Sequence, residues 1–473
     1  IRLSLVGSEM CIRDRNSTMT EQLKLKLNDS KATRWGALVI VAFTMMAAYY
    51  VNDVVAPLKT MLETDLAWSS TDFGFFTGGY SFLNVFFLML IWGGLILDRF
   101  GIRFTGKLAT ILMVGGTALE YYAMTGLAGA DATLFGINEI LGYKTGVFVA
   151  FAGYSIFGVG AEVAGITVSK IIAKWFKGKE LATAMGVQVA LARIGSQAGY
   201  AVAIPLARAF GISTPVLLGL VLLLGGMIAF FIFAVMDKKL DKQMEAAAIA
   251  AGTEDEEEKF SFKDVKNILV NPGFWLIALL CVLFYSCVFP FQKFASELMI
   301  IKYGINENVA GTFAGLPALG ALILTPVFGG FIDKRGKSAS IMLLGSAMLI
   351  CVHFIYAIPD INYWLVAIVL MIILGIAFSL VPSAMWPAVA KIFPVSQLGT
   401  AYALIFFIQN IGLWGIPTLI GWVLDAYCIS GKKPDGTNMY DYTVPMCIFT
   451  GIACLSLIVA LLLLSLIHIS EPT

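Results

Sequence analysis

The sequence predicts an all-α polytopic membrane protein, with twelve transmembrane helices in two six-helix bundles. Three observations carry that reading. Of 473 residues, 59% are hydrophobic and only 13% charged, with mean hydropathy +0.85. A soluble domain needs more charge than that to cover its surface. Apolar runs of about 20 residues, enough to cross a bilayer core, recur at 35–56, 73–97, 105–125, 146–172, 181–205, 214–236, 273–296, 309–332, 339–358, 362–385, 397–424 and 442–463. They are too long and too uniformly apolar for barrel strands, so helices are expected. Finally, the halves repeat: GGLILDRFGIR at 93–103 follows span 2, and GGFIDKRGK at 329–337 follows span 8.

The two ends are set aside. The strings LVGSEMCIRD (5–14) and LSLIHISEPT (464–473) can be read from opposite strands of one stretch of DNA. Residues 1–18 and 464–473 are therefore read as translated sequencing adapter, with Met19 as the expected start. A basic leader, 19–34, precedes the first bundle at 35–236. The longest polar gap, 237–271, divides the spans six and six and is read as a linker. It holds a charge run, TEDEEEK at 253–259, and an amphipathic stretch, FSFKDVKNIL at 260–269. The second bundle is 272–463.

Lysine and arginine orient the chain. With the N-terminus inside, inner segments hold twenty of them and outer segments six: Lys59, Lys144, Arg208, Lys302, Lys432 and Lys433. Both ends of the chain are thus expected in the cytoplasm. The seven cysteines are scattered, with no CxxC pair. No cofactor or metal is expected. The partners expected are a small-molecule solute and the lipid bilayer, with no nucleic acid.

Span 4 and span 5 each carry one charge where a bilayer is driest, Glu162 and Arg193. Burying a charge there costs about 2.5–3.5 kcal/mol on insertion scales, so it normally faces a cavity, a partner or a substrate. The two lie at similar depth on neighbouring spans. Gly158, Glu162, Gly165 and Ser169 share a face of span 4, and Gly186, Val189, Arg193, Ser196 and Tyr200 share one of span 5. A dipeptide extends about 7 Å at roughly 3.3–3.6 Å per residue. A carboxylate and a guanidinium set that far apart suit an ammonium and a carboxylate, the latter gripped bidentately.

Tyr49 and Asp53 belong to a polar patch in span 1, with Tyr50 and Asn52. Tyr285 of span 7, with Phe284 and Phe291, is placed on the far wall. Trp386, Gln409 and Asn410 of spans 10 and 11 are candidates to complete the site. Lys293, toward the outer end of span 7, is expected to snorkel to the interface. His353 is read as a packed polar residue. Sequence patterns of common hydrolases, P-loops and metal sites are absent, so no enzyme is expected. An intramembrane protease would need paired aspartates within the spans, whereas Asp98 and Asp333 stand at loop ends.

The repeated loop resembles that of the major facilitator superfamily. Its motif is present at Gly94, Asp98, Arg99, Gly101 and Arg103, with one extra residue before Arg103. An echo stands at Gly329, Asp333, Lys334, Gly336 and Lys337. The resemblance implies the major facilitator fold, and a loop that latches the inner gate without touching substrate. WFKGKELATAMGVQVALARIGS (175–196), FYSCVFPF (284–291), MWPAVAKIFPVSQLGTAYA (385–403) and IQNIGL (408–413) are similar to the lysosomal dipeptide transporter branch. In that branch an acid of span 4 and an arginine of span 5 hold the peptide's termini; Glu162 and Arg193 stand at those positions. The resemblance implies dipeptide transport by alternating access. The alternatives are proton-coupled transport of an amino acid or another organic anion, and a non-transporting membrane sensor. The leader MTEQLKLKLNDSK lacks an acidic dileucine signal, and no predicted outer loop carries a glycosylation sequon. A prokaryotic plasma membrane is therefore expected rather than a lysosome.

Overall fold

The computed structural model describes residues 26–129, 132–251, 262–335, 337–393 and 395–470. A helix covers each predicted span. Span 1 is Lys31–Val54, which continues through the turn Ala56–Leu58 into the short helix Lys59–Leu66. Span 2 starts at Ser70 behind a capping box: Ser69 Oγ accepts from Asp72 N at 3.1 Å, and the Asp72 carboxylate accepts from Ser69 N at 2.9 Å. It is not the single helix that the apolar run predicts. Ser70–Phe86 ends, and the chain resumes at Met89 after a bend of 58°. The helix Met89–Thr125 holds the rest of span 2 and all of span 3. Gly101, at φ 76° and ψ 175°, divides them. A side chain there would be strained, which gives the motif's glycine its physical reason.

Spans 4 to 7 are Thr145–Trp175, Leu181–Phe210, Thr214–Ala251 and Pro272–Tyr303. Span 8 is Glu307–Ala314 plus Leu316–Arg335, and spans 9 to 12 are Ser338–Ala357, Trp364–Ile392, Val395–Tyr427 and Thr443–Ser470. Among the described residues nine helices are long and apolar enough to cross a membrane, ten with the bent pair. That pair contains spans 2 and 3. The helix Leu181–Phe210 is outside the set; it is the one that carries Gln188, Arg193 and Gln197.

The helices form two bundles. In the first, span 3 lies along span 4, and span 1 along spans 5 and 6. In the second, span 7 lies along spans 11 and 12, and span 10 along spans 8 and 9. The bundles meet where span 2 packs on span 11 and span 5 on span 8. Glycine makes the first of these seams possible. A methyl group on Gly74 would stand 2.4 Å from the Pro417 carbonyl oxygen, and one on Gly78 would stand 2.8 Å from that of Trp414. Such close backbone contact replaces the hydrophobic drive that helices lack in lipid.

Two antiparallel hairpins mark one end of the molecule, the hairpin side. β1 (Glu139–Ile140) and β2 (Tyr143–Lys144) join spans 3 and 4; β3 (Ile429–Lys432) and β4 (Asn438–Tyr440) join spans 11 and 12. The opposite end is the linker side. There span 6 runs on as helix to Ala251, so the first part of the predicted linker is ordered. The charge run 253–259 lies outside the described residues, as does the predicted adapter segment 1–18. The amphipathic stretch forms the helix Phe262–Val270, with Ile268 buried and Val270 exposed. The span 12 helix includes 464–470. Glu180, between spans 4 and 5, braces the N-terminal end: it accepts from Trp35 Nε1 at 3.0 Å and from Arg34 at 3.2 Å. Those two contacts hold its carboxyl below the usual carboxylate range. Lys179 does the same for Asp29.

Candidate functional site between the bundles

A cavity of about 1660 Å³ lies between the bundles. Spans 1, 2, 4 and 5 wall one side, and spans 7, 10 and 11 the other. It extends to the linker side, where Asp98, Thr400 and Tyr402 line it, with Val265 of the linker helix at its rim.

Glu162 and Arg193 both line this cavity. Gly165 and Ser169 line it with Glu162, so three of the four residues on the predicted face of span 4 are there. Gly158 instead meets span 2, where a methyl would fall 2.0 Å from the Tyr80 carbonyl oxygen. The Glu162 carboxylate accepts from Tyr80 OH at 3.0 Å. The Arg193 guanidinium carbon lies 4.8 Å from the Phe378 ring centroid and 5.7 Å from that of Tyr49. Among the described residues neither charge makes an ion pair, with the other or with a third group. On span 5 the predicted face divides. Val189 joins Arg193 in the cavity wall, whereas Ser196 and Tyr200 are buried behind it.

Tyr49, Tyr285, Trp386 and Gln409 also line the cavity. Trp386 Nε1 donates to Tyr285 OH at 3.2 Å, and Trp386 stacks on Phe406 at 4.9 Å. Gln409 takes a contact of 3.6 Å from Cys281 Sγ. Asp53 and Asn410 are not in the lining. Asn410 is buried and donates to the Phe406 carbonyl at 2.9 Å. Asp53 is held by Ser196 Oγ at 2.6 Å, Asn52 Nδ2 at 2.9 Å and Lys293 Nζ at 3.3 Å. Lys293 therefore does not snorkel. It is buried and crosses from span 7 to span 1, also donating to the Asn52 carbonyl at 2.5 Å. An ammonium buried between the bundles gains more from three oxygen partners, the third being Tyr154 OH at 3.3 Å, than from a long reach to the headgroups. His353 is buried, bonded to the Cys287 carbonyl oxygen at 3.0 Å and packed on Phe291 and Phe449.

On the hairpin side a buried charge cluster ties the bundles together. Lys59 Nζ lies 2.5 Å from Glu297 of span 7, 2.7 Å from Glu63 and 2.7 Å from Ser70 Oγ. Tyr442 donates to Glu297 as well. Lys433, from the turn between β3 and β4, stands 3.6 Å from Glu63 and 3.8 Å from Glu297. The hairpin is anchored again by Tyr440 OH on Asp425 at 2.7 Å and by Thr64 on Asp435 at 3.3 Å. None of these groups stood out as a site in the sequence: the predicted span 7 stops at 296, and only the helix Pro272–Tyr303 brings Glu297 inside it.

The first loop motif sits at the linker side. Gly94 and Asp98 line the cavity, and Asp98 accepts from Lys170 of span 4 at 3.2 Å. Arg99 is exposed over the Phe100 ring. Arg103 pairs with Asp237 at 3.3 Å and with Asp241. Lys174 joins the same two acids at 2.8 and 2.5 Å, and Trp175 Nε1 donates to Asp237 at 2.9 Å. All these partners belong to the first bundle. In the second copy Gly329 has open space around it, and Lys334 and Lys337 are exposed. Gly336 and the Asp333 side chain lie outside the described residues.

Comparison with known proteins agrees with this architecture. The chain is 29% identical over 409 residues to the human "Lysosomal dipeptide transporter MFSD1", covering 84% of this chain and 81% of that one. The Gallus gallus protein of the same name is 33% identical over 287 residues, 58% of this chain and 62% of that one. A crystal structure of the nucleoside transporter NupG superposes with a TM-score of 0.66 at 12% identity, covering 90% of this chain and 98% of that one. One of the peptide transporter POT in complex with sulfate superposes at 0.64 and 14% identity, covering 91% and 93%. At those identities the two structures speak for the fold alone. The profile of the Major Facilitator Superfamily matches residues 38–417 and 294–473. This chain is a multi-pass membrane transporter, and it belongs to the Major Facilitator Superfamily.

Proposed function

We propose that this transporter moves a small zwitterionic solute, above all dipeptides, by alternating access. One observation carries the reading: Glu162 and Arg193 face a single cavity between the bundles, and neither neutralises the other. Two unspent opposite charges in one site call for a ligand that carries both. Glu162 receives the ammonium and Arg193 the carboxylate. The name of the human relative supports a peptide as that ligand. The aromatic wall of Tyr285, Trp386 and Phe406 takes apolar side chains. The cavity reaches the linker side while the hairpin side is closed, so this is the inward-facing state. The Gly94–Arg103 loop acts as the latch of the linker side, released here in that, among the described residues, the ion-pair partners of Asp98 and Arg103 stand on spans 4 and 6.

Two experiments test this. In sealed cells a membrane-impermeant thiol reagent should label Pro434→Cys, at the tip of the β3–β4 turn, and leave Lys334→Cys unlabelled. Efficient labelling of Lys334→Cys would reverse the orientation. Free dipeptides should raise the melting temperature of the purified protein, because they bind the native state. Peptides with an acetylated N-terminus or an amidated C-terminus should raise it far less. Equal stabilisation by free and blocked peptides would remove the substrate assignment.

A further inference from the structure

We propose that Phe378 of span 10 is a positioning residue for the carboxylate pole, so that the pole is assembled from both bundles. The inference rests on the reading that Arg193 receives a carboxylate. Arg193 belongs to span 5 of the first bundle, and Phe378 to span 10 of the second. The guanidinium lies 4.8 Å from the Phe378 ring centroid, closer than the 5.7 Å to Tyr49 of its own bundle. Phe378 is only 2% exposed and cannot swing away. Its ring is locked edge-on against Phe289 at 5.3 Å and against Tyr285 at 6.1 Å.

The choice of an aromatic partner matters chemically. A carboxylate beside Arg193 would fix the guanidinium but compete with the substrate for its donors. An aromatic ring attracts the cation through its quadrupole and leaves the charge unneutralised. Arg193 has five N–H donors, and among the described residues none is taken by an acid or a carbonyl. The guanidinium is therefore held in place yet free to grip a carboxylate with two of them. Because its holder sits on the opposite bundle, rocking of the bundles changes how firmly the pole is formed. Affinity for the carboxylate is then a property of the conformational state and not of span 5 alone.

The test compares a free dipeptide, such as Ala-Leu, with its C-terminal amide on the purified full-length protein, reading affinity from ligand-induced thermal stabilisation. Phe378→Leu should weaken the free peptide by about thirtyfold, the scale of a desolvated cation–π contact, and leave the amide unchanged. Phe378→Trp should keep wild-type discrimination. If the leucine variant fails to fold, Phe378→Met removes the ring at similar volume and carries the same comparison. A purely packing role would lower the unliganded melting temperature and weaken both ligands alike, which overturns the proposal. So does an unchanged affinity for the free peptide. If wild type itself does not distinguish acid from amide, the reading of Arg193 fails, and this inference falls with it. Discrimination that is intact in wild type and in Phe378→Leu refutes the role of Phe378 alone.

Discussion

Lys59→Met should collapse the closed state of the hairpin side. Lys59 is 1% exposed and holds two buried acids at once, Glu63 on its own short helix and Glu297 on span 7. Without it those carboxylates share only Lys433, at 3.6 and 3.8 Å. Removing one partner from a buried ion pair costs about 3–5 kcal/mol, because the remaining charge is stranded away from water. When the hairpin side opens, the acids meet water and the penalty disappears. The cost therefore acts on the conformational equilibrium, shifting it by about two to four orders of magnitude toward the form open on the hairpin side. Spin labels at Asp65→Cys and Asp360→Cys, both exposed on the hairpin side, should report a longer distance in Lys59→Met. Transport should fall with it, since a carrier held in one state cannot cycle. The double variant Lys59→Met/Glu63→Gln leaves one acid and one base, Glu297 and Lys433. It should recover part of the short distance. An unchanged label distance in the single variant would mean that glycine packing of span 2 on span 11 keeps the side closed without the charges.

Much of this architecture was legible because hydropathy and the repeated loop report on it directly. Helix covers all twelve runs, though spans 2 and 8 are each broken in two, and Gly101 divides spans 2 and 3 where the motif stands. The bend at Phe87–Leu88 was not legible: the stretch around it, Val85 to Trp92, is apolar throughout, and no proline or glycine marks it. Glu162 and Arg193 could be picked out because a charge inside an apolar span is expensive wherever it points. Which charges remain free is a different question, and spacing cannot answer it. Asp53 and Lys293 looked like a patch and a snorkelling residue, but they satisfy each other across the bundle interface. The cluster of Lys59, Glu63, Glu297 and Lys433 joins residues more than 350 positions apart. No local pattern encodes such a meeting. Phe378 is one of many apolar residues in span 10, and only its distance to a guanidinium singles it out.

Arg193→Gln should abolish high-affinity binding of free dipeptides while leaving the fold intact. The contrast with Lys59 is the core of the argument. Lys59 neutralises buried acids, so losing it strands them. Arg193 neutralises nothing among the described residues, and the Glu162 carboxylate is held by Tyr80 instead. Removing the guanidinium strands no partner, so the unliganded melting temperature should stay near that of wild type. The ligand's carboxylate, by contrast, would enter the cavity with no cation to meet it. Truncating one side of a desolvated, hydrogen-bonded charge pair costs about 2–5 kcal/mol, so affinity should fall by about two orders of magnitude or more. Arg193→Lys keeps the charge but loses the planar fork, and should fall between the two. C-terminal amides should bind wild type and Arg193→Gln with similar, weak affinity, because they bring no carboxylate to lose. Glu162→Gln should show the mirror pattern, insensitive to acetylation of the N-terminus. The measurement is a set of ligand-dependent melting curves for both variants against free, acetylated and amidated forms of one peptide. If Arg193→Gln melts far below wild type and free peptides still stabilise it, the guanidinium is part of the scaffold, and the carboxylate is received elsewhere in the cavity.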